Sequence, residues 1–258
     1  MVTAANPDDL ALLDGHPVVI VMPAYNAAKT LEATWHDIPP RWAQQVILVD
    51  DGSMDRTVEV AKLLNLHLIQ HPHNVGYGGN QKTCYMEALR EGASVVVMLH
   101  PDGQYDPTLI PELVRPILRG RADLVLGSRF MTKGSARKGG MPLYKYISNR
   151  FLTECENLVL GRKFSELHTG YRAYSREFLE TIPFLRNSND FVFDTEVIAQ
   201  AVAFRFRIEE VPVATRYFPE ASSATLAQSL VYGTKTLWTM VRLLAHRARL
   251  RRSRLFQR

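Results

Sequence analysis

Five short apolar runs, most of them rich in β-branched residues, divide the first half of this 258-residue chain, at positions 17–22, 45–49, 66–70, 95–99 and 123–127. Runs of this length and composition read as buried strands. Between them lie stretches of helical spacing: from about Ala27, at 55–64, from a glycine-rich loop at 71–80 onward to Glu91, and at 107–119. Strand and helix thus alternate four times. A helix between two strands returns the chain to the same end of the sheet. The pattern predicts an α/β fold with a doubly wound, mostly parallel central sheet and right-handed crossovers.

The strands end in polar clusters. They are Pro23-Ala24-Tyr25-Asn26, Asp50-Asp51-Gly52-Ser53, His71 to Asn80, and His100-Pro101-Asp102-Gly103-Gln104. Taken singly, each reads as turn chemistry. Together they share one rim of the sheet, at the carboxyl ends of the strands, where open α/β sheets bind ligands. If extended geometry continues past Leu99, then His100, Asp102 and Gln104 alternate onto one side. That would gather three metal or phosphate contacts just beyond a buried strand.

The second half is less regular. A Gly, Lys and Arg loop spans 133–140, a long helix spans 143–160, and a loop enters a short strand at 168–175. A polar turn at 187–190 precedes a helix start at 191–196, and a last strand covers 207–214. The chain closes with a helical stretch from about Thr225. We expect a lead-in over 1–16, a main domain over 17–225 and a C-terminal amphipathic basic helix over 226–258. Hydrophobic content of 46% and charged content of 22% are those of an ordinary globular protein. The two cysteines, Cys84 and Cys155, lack metal-ligand spacing, which fits a reducing compartment. The net charge of +5 is concentrated at the end, with seven arginines and no acid from Arg242 to Arg258. No nucleic-acid-binding pattern accompanies this tail, so nucleic acid is not expected as a partner.

The clusters resemble, in order and spacing, the motifs of glycosyltransferase family 2 with its GT-A fold, and among its members the polyprenyl-phosphate sugar synthases. The resemblance rests on Pro23-Ala24-Tyr25-Asn26, Asp50-Asp51-Gly52-Ser53 with Asp55, Asn74-Val75-Gly76-Tyr77-Gly78, Asp102-Gly103-Gln104, Gly127-Ser128-Arg129-Phe130 and Thr169-Gly170-Tyr171-Arg172. It implies an inverting transferase that moves a sugar from a UDP- or GDP-sugar to polyprenyl phosphate. In this reading Pro23, Ala24, Tyr25, Asn26, Asp50 and Asp51 hold the nucleoside. Gly76 and Gly78 allow close backbone approach, next to a helix amino end that favours anions. Asp102 carries Mg²⁺ or Mn²⁺, which neutralises the diphosphate leaving group. The family pattern has an aspartate where this chain has His100, so the ligand set is either His100 with Asp102 or Asp102 with Gln104. Arg129 suits phosphate as a bidentate donor.

A hydroxyl acceptor would need a carboxylate base, for which Asp190, Asp194 and Glu196 are candidates. A phosphate acceptor, with its second pKa near ~6, would need cations instead. Arg129, Arg172, Lys133 and Arg137 are candidates for those. Asp55 reads as a helix-start carboxylate and His168 as a packed loop histidine. Two rivals stand beside the main reading: transfer to a sugar hydroxyl of a glycan or glycolipid, and a non-catalytic sugar-nucleotide-binding protein. Apolar residues at helical intervals from Leu226 to Leu244, followed by arginines, describe a helix that lies in a membrane interface or packs in a core or oligomer. The expected location is cytoplasmic, peripheral on the inner face of the membrane.

Overall fold

A computed structural model describes residues 11–42, 44–217 and 226–257. The first part of the expected lead-in, the helix start at Thr225 and the terminal Arg258 lie outside the described residues, as does the side chain of Leu226. In chain order the elements are β1 (Val18–Ala24), α1 (Leu31–His36), β2 (Gln45–Asp50), α2 (Thr57–Leu63), β3 (His67–Gln70), α3 (Tyr77–Arg90) and β4 (Val95–Met98). They continue with α4 (Ile110–Leu118), β5 (Leu124–Ser128), α5 (Ser135–Lys138) and α6 (Leu143–Leu160). The last are β6 (Arg172–Ser175), α7 (Arg176–Thr181), α8 (Phe193–Ala203), β7 (Ile208–Pro212) and α9 (Leu226–Arg247).

The strands form one seven-stranded sheet in the order β3-β2-β1-β4-β6-β5-β7. The pairs β1–β2, β1–β4, β2–β3 and β5–β7 are parallel. Strand β6 departs from the alternation, lying antiparallel between β4 and β5. Arg172 pairs with Leu126 and Met98 at the rim. The long connection 129–171 therefore begins and ends at the rim, and β6 can only run back from it.

Both faces of the sheet are buried. Val19 and Val21 join Tyr85 and Ala88 of α3, Val197 and Ile198 of α8, and Met240 and Leu243 of α9. Val18, Ile20 and Met22 join Leu31 of α1, Ala61 of α2, and Leu113 and Val114 of α4. Successive side chains of a strand point to opposite faces, which is why uninterrupted apolar runs were needed. Each such side chain contributes roughly 1.5–3 kcal/mol on burial.

The C-terminal segment is continuous with this body. Leu255 and Phe256 are buried in the same core as α8 and α9. Arg186 donates to the carbonyls of Arg254 and Gln257, and Gln200 to that of Leu255. Helix α9 and the segment after it therefore share the core of the main body.

Candidate functional site

The sheet order reverses between β1 and β4, since β2 follows on one side and β4 joins on the other. Open α/β sheets bind ligands at that switch point. Here it opens into a cleft of about 790 Å³. Pro23, Ala24, Tyr25 and Asn26 line it from the end of β1, with Asp51, Asn74, Gly76 and Tyr77 beyond β2 and β3. His100, Asp102 and Gln104 line it beyond β4. Strand burial thus brings the three expected loops to one rim.

The β1 loop is held by side chains. Asn26 has φ 53°, a conformation that asparagine tolerates better than most residues. Its backbone N–H donates to Ser53 Oγ at 2.8 Å, and its Oδ1 accepts from Met54 N–H at 2.9 Å. Tyr25 is 52% exposed and lines the cleft. Asp55 accepts from the backbone of Ala28 and Thr57, so it braces this loop. Asp51 accepts from the N–H groups of Val75 and Gly76 and contacts His71 Nδ1 at 2.9 Å. Asp50 lies deeper and accepts from Ser53 N–H at 3.0 Å. Its Oδ1 is buried with no hydrogen-bond partner, which leaves one acceptor open.

Beyond β4 the chain turns rather than staying extended, with Gly103 at φ 71°. The alternation expected for His100, Asp102 and Gln104 is replaced by this turn, yet all three still line the cleft. Gln104 N–H donates to Asp102 Oδ1 at 3.0 Å, which orients the carboxylate. A carboxylate on this loop suits Mg²⁺ or Mn²⁺ completed by water or phosphate oxygens, and an imidazole two residues before it favours Mn²⁺ over the harder Mg²⁺. Among the described residues, the one group of three His, Cys, Asp or Glu ligands within 4.8 Å is His67, Glu87 and Glu91. It lies at the β3 edge rather than in the cleft.

Several expected contacts are used differently. Gly78 makes room for the protein's own backbone, and Gly76, which lines the cleft, has the same segment packed against it. A Cβ at Gly76 would meet Asn189 O at 2.5 Å, and one at Gly78 would meet Ser188 O at 2.4 Å. The amino end of α3 is also taken, because Gly78 N–H donates to Asn189 O at 2.8 Å. Arg129 borders the cleft, but its guanidinium is bound to Glu166, to Tyr217 Oη and to the His168 carbonyl. Burial opposes its charge, yet Glu166 beside it raises its pKa overall. Arg172 is likewise buried, bonded to the carbonyls of Thr169 and Leu167 and paired with Asp194 at 3.3 Å.

The expected bases are also committed. Asp194 accepts from Tyr77 Oη at 2.8 Å and from Gln81 Nε2 at 3.3 Å, besides pairing with Arg172. Glu196 does not line the cleft. It accepts from Ser188 N–H and Oγ and pairs with Arg242 at 3.4 Å. Burial pushes its carboxyl pKa up. Asp190 does line the cleft, and Lys235 of α9 pairs with it there.

Sequence reasoning missed Tyr77, Glu166, Lys145 and Tyr232. Tyr77 joins the cleft and stacks on His100 with ring centroids 5.6 Å apart. Burial, with Asp194 adjacent, raises its phenol well above the usual range, so it stays protonated. Lys145 of α6 and Tyr232 of α9 line the opposite wall. Tyr232 Oη lies 2.8 Å from His168 Nδ1, and His168 Nε2 is 3.0 Å from the buried Glu156. His168 is therefore packed as expected, but in the cleft wall. Only the tyrosine inside a glycine-rich loop was a visible signal; the others lie far along the chain from their partners.

Residues 19–182 match the pattern of glycosyl transferase family 2. An uncharacterized protein of Methanocaldococcus jannaschii is 30% identical over 224 residues, covering 87% of this chain and 90% of that one. A UDP-N-acetylglucosamine–dolichyl-phosphate N-acetylglucosaminyltransferase of Methanococcus voltae is 27% identical over 217 residues, covering 78% and 86%. The polyprenol monophosphomannose synthase of Mycolicibacterium smegmatis is 27% identical over 217 residues, covering 81% of each. Among solved structures, glucosyl-3-phosphoglycerate synthase from Mycobacterium tuberculosis in complex with UDP has a TM-score of 0.73 at 20% identity, over 93% of this chain and 84% of that one. The same enzyme with Mn²⁺, UDP-glucose and glycerol 3-phosphate gives a TM-score of 0.72. The mostly parallel sheet is that of the GT-A fold. The chain is a glycosyltransferase and belongs to glycosyl transferase family 2.

Proposed function

We propose that the protein transfers a sugar, with inversion, from a UDP- or GDP-sugar to a polyprenyl phosphate, with Mg²⁺ or Mn²⁺ bound at His100 and Asp102. One observation carries this choice of acceptor. Among the described residues, each carboxylate considered as a base is engaged: Asp194 by three donors, Glu196 outside the cleft, Asp190 by Lys235. A sugar hydroxyl needs a base to remove its proton, whereas a phosphate is already an anion at neutral pH. Cations suit it instead. Lys145 lines the cleft, and Lys133 and Arg150 line a second cavity of about 230 Å³ that shares Arg129 with it.

The rest of the cleft fits the donor. Tyr25 supplies a face for the base. Asp51 is the carboxylate of the Asp50–Asp51 pair that lines the cleft and is placed to accept from a nucleoside N–H or hydroxyl, with Asp50 buried behind it. The bound metal would neutralise charge on the departing diphosphate. The dolichyl phosphate in the name of the Methanococcus relative and the polyprenol monophosphomannose in that of the Mycolicibacterium relative accord with a lipid-phosphate acceptor.

The surface also supports meeting a lipid. Helix α9 turns Thr236, Thr239, Met240 and Leu243 inward. It leaves Leu230, Val231, Trp238, Val241 and Leu244 exposed. Helix α6, packed on α9, exposes Leu143, Ile147, Phe151 and Leu158. No helix among the described residues is long and apolar enough to cross a membrane. Exposed apolar faces beside the Arg247–Arg252 cluster are those of a peripheral contact.

The purified protein is tested with UDP- and GDP-sugars and either polyprenyl phosphate or the matching polyprenol. Transfer to the phosphate alone, abolished by chelator, is the expected result. Transfer to a sugar hydroxyl, blocked by Asp190→Asn, Asp194→Asn or Glu196→Gln, would overturn it.

A further inference from the structure

We propose that Tyr77 is a positioning residue for the metal site: it fixes His100 as the Nε2–H tautomer and so presents the Nδ1 lone pair to the cation. This rests on the reading of His100 as a metal ligand.

The argument is one of hydrogen-bond accounting. A tyrosine hydroxyl has one proton to donate and lone pairs to accept with. Tyr77 Oη lies 2.8 Å from Asp194 Oδ2 and 3.3 Å from His100 Nε2. Asp194 is a carboxylate paired with Arg172, and it can only accept. The shorter, charge-assisted bond therefore takes the Tyr77 proton. The Tyr77 oxygen is left to accept, so the proton of the longer contact belongs to His100 Nε2. A neutral imidazole protonated at Nε2 carries its lone pair on Nδ1.

Packing points the same way. A Cβ at Gly170 would lie 2.6 Å from His100 Nε2 and 2.8 Å from Cδ2. The Nε2 edge is therefore closed by Gly170 and Tyr77, so that a cation could be met only through Nδ1. The Tyr77 ring is fixed in turn, stacked on His100 at 5.6 Å and set against Phe191 at 4.7 Å. Metal-bound histidines usually anchor their second nitrogen on a carboxylate or carbonyl, which sets tautomer and ring angle. Here a phenol is interposed, and Asp194 stands behind it. An imidazole at this position needs such an anchor, whereas a carboxylate would not, because it has no tautomers.

Two measurements test this. Long-range ¹H–¹⁵N correlation spectra of the metal-free protein, with His100→Asn identifying the signal, report the tautomer directly. The expected pattern is protonated Nε2; protonated Nδ1 would overturn the proposal. Free Mn²⁺ measured by electron paramagnetic resonance then gives affinity for Mn²⁺ alone. Tyr77→Phe keeps the ring and removes the acceptor, and should weaken Mn²⁺ binding about tenfold or more while thermal melting stays near wild type. Pulsed spectra of protein labelled with ¹⁵N at histidine Nδ1 should carry the directly coordinated coupling, and Nε2 label should not. Weakened binding in His100→Asn with unchanged binding and coupling in Tyr77→Phe would overturn the role of Tyr77 alone. Unchanged binding in His100→Asn would overturn the ligand reading beneath it.

Discussion

Asp102 is the side chain on which the proposed chemistry depends most, because it lines the cleft on a turn braced by its own loop. Asp102→Ala removes the carboxylate without touching the core. Transfer is expected to fall at least about a thousandfold, the equivalent of ~4 kcal/mol of leaving-group stabilisation, with melting temperature unchanged. Rates and thermal melting of the purified variant check this together. Glu196 makes the opposite case. It lies outside the cleft and holds Ser188 and Arg242. Glu196→Gln should therefore leave transfer within about twofold and cost about 1–3 kcal/mol of stability, through the weakened buried pair. A large fall in kcat with an unchanged melting temperature would return Glu196 to the reaction.

At the scale of elements, the far edge of the sheet is tied by the ion pair of Asp123 with Arg207. Asp123 precedes β5 and Arg207 precedes β7. The Arg207 guanidinium donates to Asp123 through Nε at 3.0 Å and Nη2 at 2.6 Å. Hydrogen bonding from Arg207, acting against partial burial, holds the Asp123 carboxyl below its ordinary value of 3.8. The stabilisation is thus fully present above the unfolded-state value and is lost as pH falls through the lower folded-state one. Arg207 is 57% exposed, so solvent screening reduces the pair to about 1 kcal/mol. Denaturant titrations should place Asp123→Asn about that much below wild type at pH 7. The gap should close as the pH drops below about 4.

For the whole molecule, the proposed membrane contact rests on the surface of α6 and α9. Trp238, Val241 and Leu244 of α9 and Phe151 of α6 are exposed, and Arg249, Arg251 and Arg252 follow at the surface. Deleting the tail would be a poor test, because Leu255 and Phe256 are core residues. Charge reversal of Arg249, Arg251 and Arg252 spares the core. Co-sedimentation with vesicles containing anionic lipid is expected for the wild type and should fall with added salt. Each arginine near the surface contributes about 1 kcal/mol. The triple reversal should abolish sedimentation, and Trp238→Glu should weaken it. Equal sedimentation of all three proteins would remove the membrane from the account.

The uninterrupted apolar runs determined the central strands, since a strand buried on both faces has little room for a polar residue in its interior. They also determined the rim, because helical crossovers bring successive strand ends to one side. The loops there, with Asp51, His100 and Asp102, were legible for that reason. Strand β6 was legible as a strand but not in direction, which depends on where the 129–171 connection ends. What each polar side chain does was decided by tertiary structure alone. Arg129, Asp194 and Glu196 each carry chemistry suited to the site, and the fold pairs each with a residue brought to it from elsewhere: Glu166, Arg172 and Arg242. Gly76 and Gly78 read as a phosphate cradle, yet they accommodate the 188–189 backbone more than 100 positions away. A hydrogen bond satisfies a group wherever its partner lies along the chain, so local sequence states what a residue can do and only the packed fold states which partner it meets.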